Sequence, residues 1–428
     1  MAWPAIATNV TTPLLGLVDV AIVGHIGSAA YIGAVAVGGA MFNMLYWLFG
    51  FLRAGTSGLT SQAFGAGNSA GQIRVLVRSL CISAAVGLLL IVLSHPLGDL
   101  VLQFMDADGK TDALARAYFN VAILGAPGVL ATYTLSGWFL GCQSSRPAMW
   151  MAIIANGMNI VLSLLFVFYL DMGIVGVGAG TAIAQWISLA VGAVLLWRQF
   201  CNNSGFRNTL WRRGLFAWRE VRRLFSVNAD IFLRTVCLIM VTLWFTHAGA
   251  REGAVVLAAN ALLMQLFMLF SYFMDGFAYA GEALAGKFAG AGCRSRLDVM
   301  ARMLMRRGLY LALAASVLYF FAGEWIMSLL SKDADVVAKA AEYKIWAVLV
   351  PLSGFMSFLW DGIYIGLTQT RLMLVTMFVA MTVFYVTYFI AFPTLGNHGL
   401  WLAFILYLFT RGLMQQLLYR RATRHIIS

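Results

Sequence analysis

Apolar runs of about twenty residues recur from one end of this chain to the other, and that feature alone removes most folds from consideration. A segment lying in hydrocarbon must satisfy its own backbone hydrogen bonds, so each run is expected to be a helix. A membrane barrel would instead need ~10-residue segments that alternate polar and apolar. Runs such as "SAAVGLLLIVL" (83–93) do not alternate. The spans are expected at 3–23, 32–54, 76–96, 115–140, 147–170, 174–197, 223–246, 254–281, 303–323, 341–366, 372–393 and 399–419. Composition agrees: 61% of the 428 residues are hydrophobic and 11% charged, where soluble domains carry about 25% charged residues. The fold class is all-α integral membrane, with about twelve spans of bilayer length.

The net charge of +12 is placed in a way that assigns sides. Arg198, Arg207, Arg212, Arg213, Arg219, Arg222 and Arg223 crowd between spans six and seven, opposed by Glu220. Lys287, Arg294, Arg296, Arg302, Arg306 and Arg307 follow span eight, opposed by Asp298. The connection after span three carries Asp99, Asp106, Asp108 and Asp112 against Lys110 and Arg116. Loops after even-numbered spans are basic and loops after odd-numbered spans are not, so both termini are expected in the cytoplasm of a prokaryote, beneath its plasma (inner) membrane. A nucleic-acid partner is not expected, because no aromatic-rich soluble domain surrounds the arginines. The first span begins next to Met1 without a charged leader and is read as a retained helix. Cys81, Cys142, Cys201, Cys237 and Cys293 show no metal or redox spacing.

The chain also repeats itself. "FGAGN" (64–68) corresponds to "AGAGC" (289–293), and "SGWFLGCQSSR" (136–146) to "DGIYIGLTQTR" (361–371), at one shift of 225 residues. Six spans per repeat bring the second half into the membrane in the same sense as the first. Two six-helix lobes related by a pseudo-twofold axis along the membrane normal are therefore expected. They fall at 1–198 and 223–428, joined by a basic cytoplasmic linker at 199–222. Architectures of this kind expose a site alternately to each side.

Charges inside the spans are the candidate chemistry. "LLGLVDVAIVG" (14–24) carries Asp19 near its middle, at a cost of ~2.5–3.5 kcal/mol on insertion scales. It is either a structural acid held by hydrogen bonds or a group whose protonation biases two helix arrangements. Pro4 and Pro13 give the same helix two bend points. Asn156, Asn159 and Ser163 share one helical face, where they either join Asp19 in a cavity or bond a neighbouring helix. Asp230 and Arg234 can pair along one helix. Asp275 and Glu282 share a face of the next, and Asp361 lies in the tenth span. These make either a second proton or substrate site or a structural ion-pair network.

The stretches "NVTTPLLGLVDVAIVGHIG" (9–27), "TSGLTSQAFGAGN" (56–68), "NGMNIVLSLLFVF" (156–168), "GVGAGTAIAQ" (176–185) and "DGFAYAGEALAGKFAGAG" (275–292) resemble the multidrug and toxic compound extrusion (MATE) family, and within it the DNA-damage-inducible protein F (DinF) type. The resemblance implies a twelve-helix antiporter that expels lipophilic or cationic compounds in exchange for H⁺ or Na⁺. Asp19 stands where archaeal and DinF-type members carry their proposed protonation or cation site. The supporting polar positions fall on Asn159 and Thr181, with Ser136 a looser match, and Asp361 stands where other branches use an acid. Many relatives have a second Asp where this chain has Ser163. A sodium site built on two acids is thereby disfavoured, and H⁺ is the expected coupling ion, with no cofactor or bound metal. Small lipophilic or cationic molecules and membrane lipids are the expected partners of a monomer. A Na⁺-coupled exporter and a lipid-linked flippase of the wider superfamily are the alternatives. An enzyme would want paired His or a nucleophile–base pair, and the five His are dispersed. No Gly-rich phosphate loop suggests an ATP-driven pump.

Overall fold

The computed structural model describes residues 22, 29–105, 109–200, 215–424 and 426. Asp19, Pro4 and Pro13 lie outside these residues. Two compact units divide between Phe225 and Ser226. The first contains α1 (Ala29–Leu48), α2 (Phe51–Gly65), α3 (Ser69–Val92), α4 (Ser94–Met105), α5 (Gly109–Ala122), α6 (Ala126–Gly141), α7 (Arg146–Leu164) and α8 (Gly173–Phe200). Next comes α9 (Trp218–Arg251), within which the division falls. The second unit continues with α10 (Ala254–Gly290), α11 (Arg294–Leu330), α12 (Ala334–Glu342), α13 (Lys344–Gly366), α14 (Thr370–Leu395) and α15 (Asn397–Ala422). Among the described residues, eleven helical stretches are long and apolar enough to cross a membrane.

Local chemistry explains where helices depart from the expected spans. The stretch expected at 115–140 is interrupted by a 3₁₀ turn, Ile123–Gly125. Pro127 follows in the first turn of α6, and its missing N–H cannot continue the preceding helix, though it is harmless at a helix start. The second span is likewise two helices, with Gly50 at the joint, and runs on to Gly65. The stretch expected as a linker up to 222 is helical from Trp218 onward. It is tied down within the first unit: Arg78 donates through Nε to the Leu215 carbonyl and faces Glu220 at 3.6 Å. Arg223 donates to Gln62 Oε1 at 3.0 Å.

The 225-residue repeat extends to backbone detail. Gly67 and Gly292 end their helical hairpins at φ 66 and 69°, left-handed values that favour glycine. Gln143 and Thr368 also share positive φ, at 65 and 52°, and donate the same turn bonds, to Leu140 O and Ile365 O, each at 2.9 Å.

Packing follows the repeat as well. A Cβ on Gly137 would overlap the Arg53 carbonyl oxygen, and one on Gly362 the Ala278 carbonyl oxygen. Gly141 and Gly366 meet the Ser57 and Glu282 carbonyls in the same way. Small residues let helix backbones approach closely, the main source of helix association where lipid is as apolar as the side chains. Around these contacts the first unit buries Trp138, whose Nε1 donates to Gln72 O at 3.0 Å. The second buries Trp401 edge-on to Phe245, with ring centroids 4.9 Å apart. Asn260 and Asn397 exchange amide bonds of 2.7 and 2.9 Å, and Trp401 Nε1 donates to the same Asn260 oxygen at 2.8 Å. These buried amides and the indole are thus paired, as a low-dielectric interior favours.

Candidate functional site

In the first unit, α7 and α8 bring together two of the polar positions singled out from the sequence. Asn159, 1% exposed, donates through Nδ2 to Thr181 Oγ1 at 2.9 Å. Thr181 Oγ1 donates its own hydrogen bond to the Val177 carbonyl at 2.9 Å. One turn along α7, Ser163 is fully buried against Gly180, where an added Cβ would stand 2.8 Å from its hydroxyl. The glycine of "GVGAGTAIAQ" therefore lets α8 approach α7 at the level of the polar stripe.

Two acceptors of this stripe, Asn159 Oδ1 and Ser163 Oγ, are buried with no hydrogen-bond partner among the described residues. A buried polar atom left unpaired costs roughly 1–3 kcal/mol, so such atoms mark places where a further group is wanted. Asn156 is half-buried on the same helix, and Ser136 is half-buried on α6. On that helix the paired hydroxyl is Thr134, 2.6 Å from Ser83 Oγ on α3. Thr181→Val keeps the shape and removes the acceptor. We expect it to lower thermal stability by about 1–2 kcal/mol by stranding Asn159 Nδ2. An unchanged unfolding midpoint in detergent would show that the bond contributes nothing.

In the second unit the candidate acids do not pair as their spacing suggests. Asp230 does not take Arg234, four residues on. It accepts from Thr370 Oγ1 at 2.9 Å and faces Arg371 Nη1 at 3.5 Å, both at the start of α14. Arg234 instead donates to Asp361 on α13. Helical spacing names only neighbours along one helix, and each buried charge took the partner that packing set across from it.

Asp361 is 6% exposed and has both oxygens engaged: Gln415 Nε2 donates to Oδ1 at 2.6 Å, and Arg234 to Oδ2. Arg411 Nη2 lies 3.6 Å from Oδ2. Arg411 and Gln415 were not singled out from the sequence, although an arginine inside the span 399–419 was signal enough. Glu282 is buried and Asp275 half-buried on α10. Among the described residues no group of His, Cys, Asp and Glu is arranged to hold a metal ion.

Comparison with known proteins bears on the family and the fold. The MatE family model matches residues 4–165 and, a second time, residues 230–390, so the internal repeat reappears in the family match. DNA damage-inducible protein F of Escherichia coli (strain K12) is 38% identical over 426 residues, covering 99% of this chain and 92% of the relative. Multidrug resistance protein MdtK of Edwardsiella ictaluri is 24% identical over 437 residues, covering 98% of this chain and 94% of its own length. A MATE crystal structure in the bent conformation superposes with a TM-score of 0.84 at 19% identity, covering 99% of this chain and 94% of the other. The Vibrio cholerae transporter VcmN, also in a bent form, gives 0.83 at 17% identity, with 99% and 95% covered. At these identities the structures speak for the fold.

Proposed function

Because the chain belongs to the MATE family of multidrug and toxic compound antiporters, we propose that it exports lipophilic, cationic organic compounds in exchange for protons, with Asp19 as the group that takes up and releases the proton. MATE proteins are multi-pass membrane transporters, not enzymes. The observation that carries the reading is the pair of buried, unpartnered acceptors on α7, Asn159 Oδ1 and Ser163 Oγ. They lie in a buried polar stripe of α7 where a protonated carboxyl would find acceptors.

On this reading the protonated Asp19 donates its hydrogen to an α7 acceptor, and loss of that proton removes the bond and adds a charge in an apolar span. Protonation thereby favours one arrangement of helices over the other, and differential stabilisation of two arrangements is what alternating access needs. Ser163, in place of a second carboxylate, leaves the stripe without the paired acids that would hold Na⁺ by charge. The relative MdtK is named for multidrug resistance, which supports small organic compounds as the substrate class. The bacterial relatives support an inner-membrane setting, and the arginine-rich connections support cytoplasmic termini.

Reconstitution into liposomes with proton and sodium gradients imposed separately tests the coupling. Substrate movement is expected to follow the proton gradient and to be indifferent to sodium. Movement driven by sodium with no proton dependence would overturn the proposal.

A further inference from the structure

Helix α11 is 37 residues long, about 55 Å at 1.5 Å per residue, against about 30 Å of bilayer hydrocarbon. Its chemistry changes along that length. The first fourteen residues, "RSRLDVMARMLMRR" (294–307), carry five arginines and one acid, and the next sixteen, from Gly308 on, carry no charge. The acid is already engaged: Asp298 Oδ1 accepts from Tyr419 Oη of α15 at 2.7 Å. Arg302 Nε therefore reaches only the Asp298 backbone carbonyl, at 3.4 Å. The same contact brings the end of α15, with Arg420 and Arg421, beside the start of α11. Among the described residues no ion pair includes Arg302 or Arg306.

Both arginines are exposed, one turn apart on one face of the helix. Tyr310, Leu313 and Val317 continue that face at helical spacing and are 62, 45 and 56% exposed. The opposite face, with Leu297, Ala301, Leu304 and Gly308, is the buried one. Like charges four residues apart repel by about 0.2–0.5 kcal/mol, so the pair needs a reason. The internal repeat does not supply it: the shift of 225 residues sets Val77 and Cys81 in their places, so the packing common to both halves does without them. Sidedness does not supply it either, since arginines that only orient a span can stand on any face of the helix end.

We propose that this stripe of α11 binds an anionic phospholipid, whose headgroup phosphate pairs with the guanidiniums of Arg302 and Arg306. Guanidinium matches phosphate in shape as well as charge, and basic residues beside a membrane span attract anionic headgroups. The Tyr310 hydroxyl stands at the next turn, at the boundary where tyrosine is favoured. An acyl chain then runs along Leu313 and Val317. The partner is a lipid and not a free anion, because the two cations open directly onto this apolar strip. The site serves the second unit's contact with its membrane and does not depend on Asp19 or on the coupling ion.

The test is thermal unfolding of the purified full-length protein in neutral detergent, with dioleoylphosphatidylglycerol or dioleoylphosphatidylcholine added at equal mole fraction. The wild type is expected to melt about 2–4 °C higher in the anionic lipid, the shift of a site with ligand at roughly five times its Kd in a unit of this size. Arg302→Gln with Arg306→Gln should abolish that difference; both side chains are exposed, so the fold is kept. Arg294→Gln with Arg296→Gln removes equal charge from other faces of the same helix and should preserve it. Equal loss in the two double variants would reduce the effect to net charge and overturn the site. Equal melting of the wild type in both lipids overturns it as well. Glycerol 1-phosphate, a headgroup phosphate without chains, should produce no shift; a shift matching that of the lipid would mean a free-anion site and overturn the lipid assignment. None of these readouts involves transport, so this proposal and the proton-coupling reading fail separately.

Discussion

An Asp19→Asn protein is expected to insert, fold and bind its substrate, yet to move none of it against an imposed proton gradient. A carboxamide has nearly the size and shape of the protonated carboxyl and can still donate to an acceptor such as Asn159 Oδ1. It has no proton to release at any pH the cell meets. Insertion becomes no harder, since an uncharged carboxamide replaces an acid that is costly at a helix centre. Loss of transport would therefore not be loss of structure, and the unfolding midpoint should be equal to or above that of the wild type. Two measurements decide: substrate binding retained in detergent, and proton-driven exchange reduced to that of protein-free liposomes. Proton-driven exchange at the wild-type rate would remove Asp19 from the coupling step.

The second large effect is expected at two glycines 225 residues apart. Gly137→Ala and Gly362→Ala each drive a methyl group into a backbone carbonyl, that of Arg53 and of Ala278 respectively. A carbonyl in the middle of a helix cannot swing aside as a side chain does, so the helix pairs α2–α6 and α10–α13 must separate along their length. Overpacking costs about 1–3 kcal/mol where side chains yield, and rigid backbone places these two at the upper end or beyond. Each variant should melt at least roughly 5 °C lower, at 2–4 °C per kcal/mol for units of this size. Gly157→Ala is the control, because nothing lies within 4 Å of its added Cβ. That substitution should be neutral or slightly stabilising in a helix interior. Equal midpoints for Gly157→Ala and Gly362→Ala would contradict the close-approach argument.

The glycines also show how much of the architecture could be read from the chain. "SGWFLG" and "DGIYIG" announced a repeat, and the structure gave the repeat its physical meaning as two matching backbone approaches. Pro127 marked a break that an apolar run had concealed, since hydropathy reports that a segment belongs in lipid and is silent on whether it is one helix or two. At the candidate site, the family resemblance pointed to Asn159 and Thr181 together, and their 2.9 Å bond joins residues twenty-two positions apart on adjacent helices. The pairing of Asp230 with Arg234 failed for the opposite reason. Their spacing was right for one helix, and both found better partners on others.

Span length, sidedness of charge, the internal duplication and the presence of acids in apolar surroundings were determined by the sequence alone. Each depends on residue type and spacing along one line. Which charge meets which was decided by tertiary structure. Asp361 is joined to Arg234 across 127 positions and to Gln415 across 54, and Arg411 entered the account only once α15 was seen beside α13. In a low-dielectric interior a charge must be matched within a few ångströms. No periodicity in the chain states which helix will lie at that distance.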